Sequence, residues 1–365
     1  MRTFGYMNII YRGYEKDDEI LLVELLDLVF VAGPWKDLKC SHLDHWRWRY
    51  SENPLGEPVV SIAELDGKII GCSHVMFREL KLGDKIYLQS SGGDAAVHPK
   101  FRGQGIYNRL KDQLVAFEED LGILYHTALS TNPILMARNI RHNVPRFPHQ
   151  FVELVKTSKL KEHLAYTRNT RGKYLIEKIA NARFSGNIQV PTSNNVHIVK
   201  IHEFDSKFNE LWDQVAPGYE RIIKKTSEYL NWRYADPRGG RYDVYAAYDD
   251  SEVMGFIVLR TRRPPFKYPK PGGYVVEIVT RQDDERTAKL LFSHALKTFK
   301  ENGIDTIRYW GILGNSHSEV LKKMGFARTR DMMIVYRKYL PEGLAHLETT
   351  PSERIHMVHG DFDHI

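Results

Sequence analysis

Alternating apolar and polar positions near the start of the chain predict several β-strands followed by a helix. The alternation over residues 59–77, around an Asp66-Gly67 turn, is typical of a β-hairpin. A further strand is predicted from Lys85 to Ser91. Apolar residues then recur at spacings of three and four and predict an amphipathic helix; they are Ile106, Leu110, Leu114, Phe117 and Leu121.

The pattern then continues with another strand and another helix. Gly122 is placed to end the first helix, and residues 123–129 are predicted as the next strand. Asn132-Pro133 has the composition of a helix N-terminus, because asparagine is a good cap and proline suits the first helical position.

The chain also contains an internal repeat with a long period. Trp48-Arg49-Tyr50 returns 184 residues later as Trp232-Arg233-Tyr234, and two glycines return at the same distance, Gly56 as Gly240 and Gly71 as Gly255. Such a period indicates duplication of a whole domain. We expect a first domain at residues 1–155, a connection at 156–195, a second domain at 196–340 and a tail at 341–365.

The turn before the amphipathic helix has the residues of a phosphate-binding site. Arg102-Gly103-Gln104-Gly105 leads directly into the helix, whose first N–H groups lack intrahelical partners. Glycine lets these donors approach a diphosphate, the helix dipole favours negative charge, and Arg102 adds a cation. No P-loop motif is present, and Asn108 stands where a dinucleotide fingerprint has its third glycine. A plain tight turn is the alternative interpretation.

The longer string from Ala96 to Ile106 resembles the acetyl-CoA signature of the GCN5-related N-acetyltransferase (GNAT) family, in which a glycine loop holds the CoA pyrophosphate. The resemblance covers residues 8–155. With the repeat, it implies an α/β fold of two tandem GNAT domains, each a twisted mixed sheet flanked by helices. It implies that acetyl-CoA, as co-substrate, contacts Ala95, Ala96, Val97, Arg102, Gly103, Gln104, Gly105, Ile106 and Tyr107, with Asn132 and Asn139 as further contacts or as polar capping and surface residues.

The second copy departs from the signature at the glycine loop. Arg281-Gln282-Asp283-Asp284-Glu285-Arg286 stands in its place. Three acidic residues at a helix N-terminus satisfy its N–H groups and repel phosphate. We therefore expect a degenerate second domain that binds no CoA and buttresses the acceptor cleft.

The family's chemistry needs a base for the amine and a proton for the CoA thiolate. Asp94 lies on the strand where several relatives place a carboxylate, so the resemblance implies a general base there. A carboxylate bonded to the neighbouring backbone is the other interpretation. The tyrosine that acts as general acid in many relatives is missing, because its place falls at Asn139-Ile140. Either another group protonates the thiolate or CoA leaves as the anion.

The C-terminal segment from His356 to Ile365 combines aromatic residues with a Gly-Asp turn. One hypothesis is that this tail folds over the cleft and places Asp361 or Asp363 near the substrate amine. The other is that it forms a plain surface turn.

Composition excludes several classes of protein. The chain has 365 residues, of which 42% are hydrophobic and 27% charged, and no apolar run long enough to cross a membrane. Its net charge of +6 comes without a nucleic-acid-binding motif.

Two cysteines give no disulfide framework, which favours a cytoplasmic location. Cys40, His42 and His45 lack a fourth metal ligand, so no metal site is expected. Pairing of sheet edges into a homodimer stays open.

Together these patterns predict an acetyl-CoA-dependent N-acetyltransferase. The expected acceptor is a primary amine of a small molecule, with an amino sugar as the first choice. A non-catalytic acyl-CoA-binding or scaffold protein is the alternative that the missing tyrosine favours. A longer-chain acyl or aminoacyl transferase of related fold is a further alternative.

Overall fold

One sheet of thirteen strands runs through the part of the chain that the structure describes. This computed structural model describes residues 8–30, 38–130, 133–157, 195–262, 272–338 and 341–362. The strands are β1 (Ile10–Gly13), β2 (Val59–Leu65), β3 (Lys68–Leu82), β4 (Lys85–Val97), β5 (Tyr125–Ser130), β6 (Phe151–Thr157), β7 (Val196–Ile201), β8 (Arg221–Ile223), β9 (Asp243–Asp249), β10 (Glu252–Arg262), β11 (Gly272–Thr280), β12 (Thr306–Ile312) and β13 (Ala327–Lys338).

The order of strands across the sheet is β1-β2-β3-β4-β5-β13-β6-β12-β11-β10-β9-β7, and β8 pairs with β3. The pairs β4/β5 and β11/β12 are parallel. The helices are α1 (Asp18–Val29), α2 (His42–Trp46), α3 (Ile106–Asp120), α4 (Pro133–Arg141), α5 (Lys207–Val215), α6 (Ser227–Leu230), α7 (Glu285–Glu301), α8 (Ser316–Lys323) and α9 (Pro341–Thr349). None of the described helices is long and apolar enough to cross a membrane.

The elements predicted for the first half are confirmed. β2 and β3 form the hairpin, and its turn residues Asp66 and Gly67 both have positive φ, at 50° and 73°. β4 is longer than the predicted strand, since it continues past Ser91 to Val97. α4 begins at Pro133 as expected, while its predicted cap, Asn132, lies outside the described residues, as do Asp363 and residues 158–194 of the predicted connection.

Each half of the sheet is covered by helices on both faces. In the first half, Leu22 of α1 and Trp46 of α2 pack on the face that carries Ile62. Ile106 and Leu110 of α3 pack on the opposite face. In the second half, α5 and α7 take the places of α1 and α3, because Phe208 and Leu291 lie in separate clusters on the two sides of β10. The α/β fold with two tandem domains is thus confirmed.

The two halves exchange a strand. β6, which ends the first half in sequence, pairs with β12 of the second half along its whole length. β13, from the end of the second half, inserts between β5 and β6 and pairs with both. The two half-sheets are therefore joined into one sheet by main-chain hydrogen bonds as well as by side-chain packing.

The repeated tryptophans meet where the two halves join. The rings of Trp48 and Trp232 are stacked, with their centroids 5.1 Å apart and their planes 19° from parallel. Trp48 Nε1 donates to the carbonyl of Trp232 at 2.8 Å, and Trp232 Nε1 donates to the carbonyl of Trp48 at 2.9 Å. This reciprocal contact shows that these tryptophans pack against each other at the junction between the halves.

Candidate active site

β4 and β5 part after a short paired segment and leave a wedge between them. Only Gln89, Ser90 and Ser91 of β4 pair with β5. From Gly92 onward β4 keeps its pairing with β3, as far as Val97 opposite Gly71, but it has no strand partner among the described residues on the β5 side. The backbone edge of residues 92–97 therefore borders the wedge without a strand partner among the described residues, although the carbonyls of Asp94 and Val97 accept hydrogen bonds from the side chains of His74 and Arg102.

A β-bulge lies in β4 where the wedge opens. The register with β3 shifts between the pair Ser73/Ala95 and the pair Val75/Gly92, so β4 holds one extra residue there. A bulge bends the strand and re-aims its side chains. Ala96 consequently packs under α1 and α2, and Val97 packs with Ile106 under α3. Ala95, Ala96 and Val97 thus lie along the edge of the wedge.

The glycine loop lies at the mouth of the wedge and presents backbone to solvent. Gly103 and Gly105 have φ of 80° and 78°, and a Cβ built on either meets no atom within 4 Å. Gly105 is the N-cap of α3 and no side chain caps that helix. Arg102 and Gln104 are exposed, and the Arg102 Nε donates to the carbonyl of Val97 at 3.1 Å. The arrangement suits an anion at the start of α3.

The remaining predicted contacts differ in their placement. Ile106 is buried under the sheet and anchors the first turn of α3, while Tyr107 is exposed on the same turn. Asn139 lies half-buried on α4, and its carbonyl accepts a hydrogen bond from the backbone of Val144 at 3.0 Å.

Asp94 is held by side chains rather than by the neighbouring backbone. Its Oδ2 accepts from Arg49 at 3.1 Å and from the Tyr50 hydroxyl at 3.0 Å, and its side chain is 17% exposed. Burial raises the pKa of this carboxyl, but the Arg49 guanidinium, together with the nearby histidines and the Tyr50 hydroxyl, outweighs burial and leaves the pKa below its ordinary value. Asp94 is therefore ionised at neutral pH and is a weak base.

Three histidines, His42, His45 and His74, lie near this carboxylate. His74 is buried; Trp46 Nε1 donates to its Nε2 at 3.0 Å, so its Nδ1 carries the proton and donates to the carbonyl of Asp94 at 2.7 Å. Burial lowers the pKa of both His74 and His45 to about 4. The described residues contain no cluster of ligands that could hold a metal ion.

The second half repeats part of this arrangement and adds two residues, Glu277 and Lys225, that no sequence motif indicated. Glu277 of β11 takes the place of Asp94, and the hydroxyl of Tyr234 donates to its Oε2 at 3.2 Å. Lys225 Nζ lies 2.5 Å from the same carboxylate. The repeated Arg-Tyr pair was the available signal, since Arg233 and Tyr234 stand where Arg49 and Tyr50 stand in the first half.

The C-terminal tail contacts the corresponding wedge of the second half. β11 and β12 also pair over three residues only and then part. Beyond that point Val358 bridges to Gly311 of β12, and His356 Nε2 donates to the carbonyl of Ile278 of β11 at 2.8 Å. Gly360 passes so close to Tyr234 that a Cβ would lie 2.1 Å from its hydroxyl. The interpretation of the tail as a plain surface turn is therefore wrong.

Asp361 lies inside this contact. It is 2% exposed, and Lys225 Nζ donates to its Oδ1 at 2.9 Å. Burial raises the pKa of this carboxyl, but Lys225 and Arg221 outweigh it and the pKa is well below its ordinary value. The structure thus places Asp361 in the wedge of the second half, within an ion-pair network, rather than at the glycine loop of the first.

The first turn of α7 is closed in the way the acidic residues predicted. Asp284 is the N-cap, and its Oδ1 accepts from the backbone N–H of Thr287 at 2.9 Å. Glu285 pairs with Lys323 at 2.7 Å. The helix that corresponds to α3 therefore has a side-chain cap, on the backbone N–H of Thr287, that α3 lacks.

A cavity of about 700 Å³ lies between α4 and β13, beside the end of β5. Its lining combines apolar side chains with a few polar groups, and includes Met136, Ile140, Phe147, His149, Met332 and Ile334. Its size is that of a small-molecule site.

Solved structures share this architecture, although no family model and no curated protein matches the sequence. A probable N-acyltransferase of unknown function from Enterococcus faecalis matches with a TM-score of 0.60 and 10% identity, over 90% of this chain and 72% of its own. Yeast (Saccharomyces cerevisiae) N-myristoyltransferase with bound myristoyl-CoA matches with a TM-score of 0.59 and 13% identity, over 96% and 84%. A GCN5-related N-acetyltransferase from Anabaena variabilis matches with a TM-score of 0.60 and 12% identity, over 90% and 72%. The chain has the GNAT fold.

Matches that cover nine-tenths of the chain include both halves, so the GNAT fold accounts for the molecule as a whole. Within this fold the open wedge, the bulge and the uncapped glycine loop occur together in the first half. The wedge of the second half is contacted by the tail, and its helix is capped by Asp284.

Proposed function

We propose that this chain is an acyl-CoA-dependent N-acyltransferase whose first half holds the acyl donor. The observation that carries the proposal is the contrast between the halves. The first has an open wedge beside an uncapped, glycine-lined helix N-terminus, whereas the tail and Asp284 take the corresponding positions in the second. The pyrophosphate would lie against residues 102–107 and the pantetheine along residues 95–97. The second half would bind no CoA and would support the acceptor.

Within this class we propose acetyl transfer to a primary amine of a small molecule, with an amino sugar as the first acceptor to test. The cavity between α4 and β13 would hold the acceptor, because it has the size of a small-molecule site and borders β5, one side of the wedge. Backbone N–H groups along residues 92–97, which have no strand partner on the β5 side among the described residues, would stabilise the oxyanion that forms at the thioester carbon.

The test is calorimetry of acetyl-CoA binding to the wild type and to two glycine variants. Gly105→Glu puts a carboxylate where the pyrophosphate would lie and should weaken binding by about 100-fold or more, which corresponds to ~3 kcal/mol. Gly122→Glu is the matched control, because Gly122 has φ of 66° and open space but stands at the other end of α3. Its binding should equal that of the wild type.

The results separate the alternatives. Absence of binding by the folded wild type would contradict an acyl-CoA-dependent function. Tighter binding of myristoyl-CoA than of acetyl-CoA would favour a longer-chain transferase. Binding without CoA release across a panel of amines would favour an acyl-CoA-binding protein that does not catalyse transfer.

A further inference from the structure

The proposed reaction requires a proton carrier that the predicted residues do not supply. The amine must lose a proton when it attacks, and the sulfur of CoA must gain one when it leaves. The tyrosine expected near Asn139 is missing. Asp94 has a lowered pKa and an ion pair with Arg49, so it accepts a proton poorly.

A buried imidazole with one unpartnered nitrogen lies at the closed end of the wedge. His126 of β5 has no exposed surface, and its Nδ1 lies 2.5 Å from Oε1 of Glu118 and 3.0 Å from the hydroxyl of Ser90. Because a carboxylate only accepts, Nδ1 carries the proton and the neutral ring has a lone pair on Nε2. That atom has no hydrogen-bond partner among the described residues.

The unpartnered nitrogen lies beside the first residue of the wedge. A Cβ built on Gly92 would lie 3.7 Å from Nε2 of His126. Gly92 directly follows Ser91, the last residue of β4 that pairs with β5. A buried polar atom without a partner costs free energy, which a group lying in the wedge would recover by bonding to it.

The second half has no histidine–glutamate pair at the corresponding place. The fold itself therefore does not require such a pair. Tyr274 and Arg308 pair across β11 and β12 as Ser90 and His126 pair across β4 and β5. The residue that corresponds to Glu118, four before the glycine that ends the helix, is Phe299, and it is buried in an apolar cluster. The same architecture is therefore built there with Arg308 at the position of the imidazole and Phe299 at the position of the carboxylate.

We propose that His126, oriented and charge-balanced by Glu118, carries the proton from the attacking amine to the departing sulfur. This inference rests on the proposed function. As the C–N bond forms, the neutral amine gives one proton to Nε2, and the imidazolium is balanced by the Glu118 carboxylate. As the C–S bond breaks, its electron pair goes to sulfur and Nε2 returns the proton to it. The products are the amide and the CoA thiol, and no other reactant is consumed.

The test uses CoA itself and needs no knowledge of the acceptor. Calorimetry gives its affinity, and thiolate absorbance of the bound complex, followed against pH, gives the thiol pKa. An imidazole next to sulfur stabilises the thiolate, so the wild type should lower the pKa of the bound thiol by one unit or more. His126→Asn keeps a donor to Glu118 but lacks Nε2; it should bind CoA equally and leave the thiol at its ordinary pKa.

Two further variants separate chemistry from structure. Glu118→Gln keeps an acceptor for Nδ1 but removes the charge, so the thiol pKa should be lowered less than in the wild type. This variant tests the role of His126 if His126→Asn does not fold. His197→Asn, on exposed β7, should behave as the wild type.

With an amine that is turned over, His126→Asn should lower kcat by about 10²–10⁴-fold at unchanged KM for acetyl-CoA.

Each outcome has one meaning. Equal CoA affinity with a thiol pKa that is lowered in the wild type, less lowered in Glu118→Gln and ordinary in His126→Asn supports the inference. Equal affinity with the same thiol pKa in the wild type and both site variants overturns it and leaves the proposed function standing. No CoA binding by the folded wild type removes the proposed function, and the inference with it.

Discussion

At the scale of single residues, Asp94 marks what a sequence can predict about this site. The resemblance predicts that Asp94 lies on the strand before the glycine loop. In the structure it lies on β4, beside the wedge. Its partners do not follow, because Arg49 lies 45 residues earlier and belongs to another element. The repeat contained part of the missing information, since the tyrosine of the repeated Arg-Tyr pair donates to an acidic residue of the sheet in both halves.

Asp94→Asn tests the pairing through acid stability. Because the folded pKa is below the ordinary value of about 3.9, the ionised carboxylate stabilises the fold above that value, and this contribution is lost as the pH falls through the folded pKa. The variant should lose about 1–3 kcal/mol at pH 7, since Arg49 keeps its charge without a counterion. Its deficit should shrink below pH 4.

Denaturant unfolding between pH 2.5 and 7 measures this difference. Asp213→Asn, at an exposed position of α5, is the control and should change little. A deficit for Asp94→Asn that is the same at pH 3 and at pH 7 would contradict the assigned ion pair.

At the scale of elements, local pattern predicted the hairpin and the helices but not the partners of the last strands. β6 and β13 each pair with the other half. A strand of seven residues specifies which side chains are buried, and this requirement is met equally well at either position in two similar half-sheets. The choice between them is made by long-range packing, which a single sequence does not display.

The N-cap of α7 gives a prediction at the same scale. Asp284→Ala removes the acceptor for the backbone N–H of Thr287 and should cost about 1 kcal/mol of stability. Asp283→Ala, at the exposed neighbouring position, is the matched control and should cost less than half of that. Denaturant unfolding measures both. Equal losses would show that charge near the helix terminus, and not the cap, is what matters.

At the scale of the whole molecule, the tail joins parts of the chain that are far apart. Ile355 bridges to Arg221, which pairs through β8 with β3 of the first half. Phe362 packs on Phe151 of β6 with ring centroids 5.2 Å apart. Deleting the tail would therefore remove core side chains, so single substitutions within the ion-pair network are the sharper probe of its role.

Glu277 provides that probe, because its protonation is coupled to the fold. Burial raises its carboxyl pKa to about 7, although the Lys225 ammonium opposes this. A carboxyl whose pKa is higher in the folded than in the unfolded state stabilises the fold while it is protonated. This contribution is complete at a pH below the unfolded pKa, about 4.3 for glutamate. It is lost as the pH rises towards 7. Glu277→Gln removes the titration, so its stability should improve relative to the wild type across this range.

Urea unfolding of both proteins at intervals from pH 4.5 to 7.5 measures the effect as a difference in free energy of unfolding. The pKa of Asp361 is far below this range, so Asp361 stays ionised and adds no slope. Burial lowers the pKa of His356 to about 4, and this residue titrates in both proteins, so its contribution cancels in the difference. Two parallel curves would mean that Glu277 keeps one protonation state throughout, and that the ion pair with Lys225 outweighs burial.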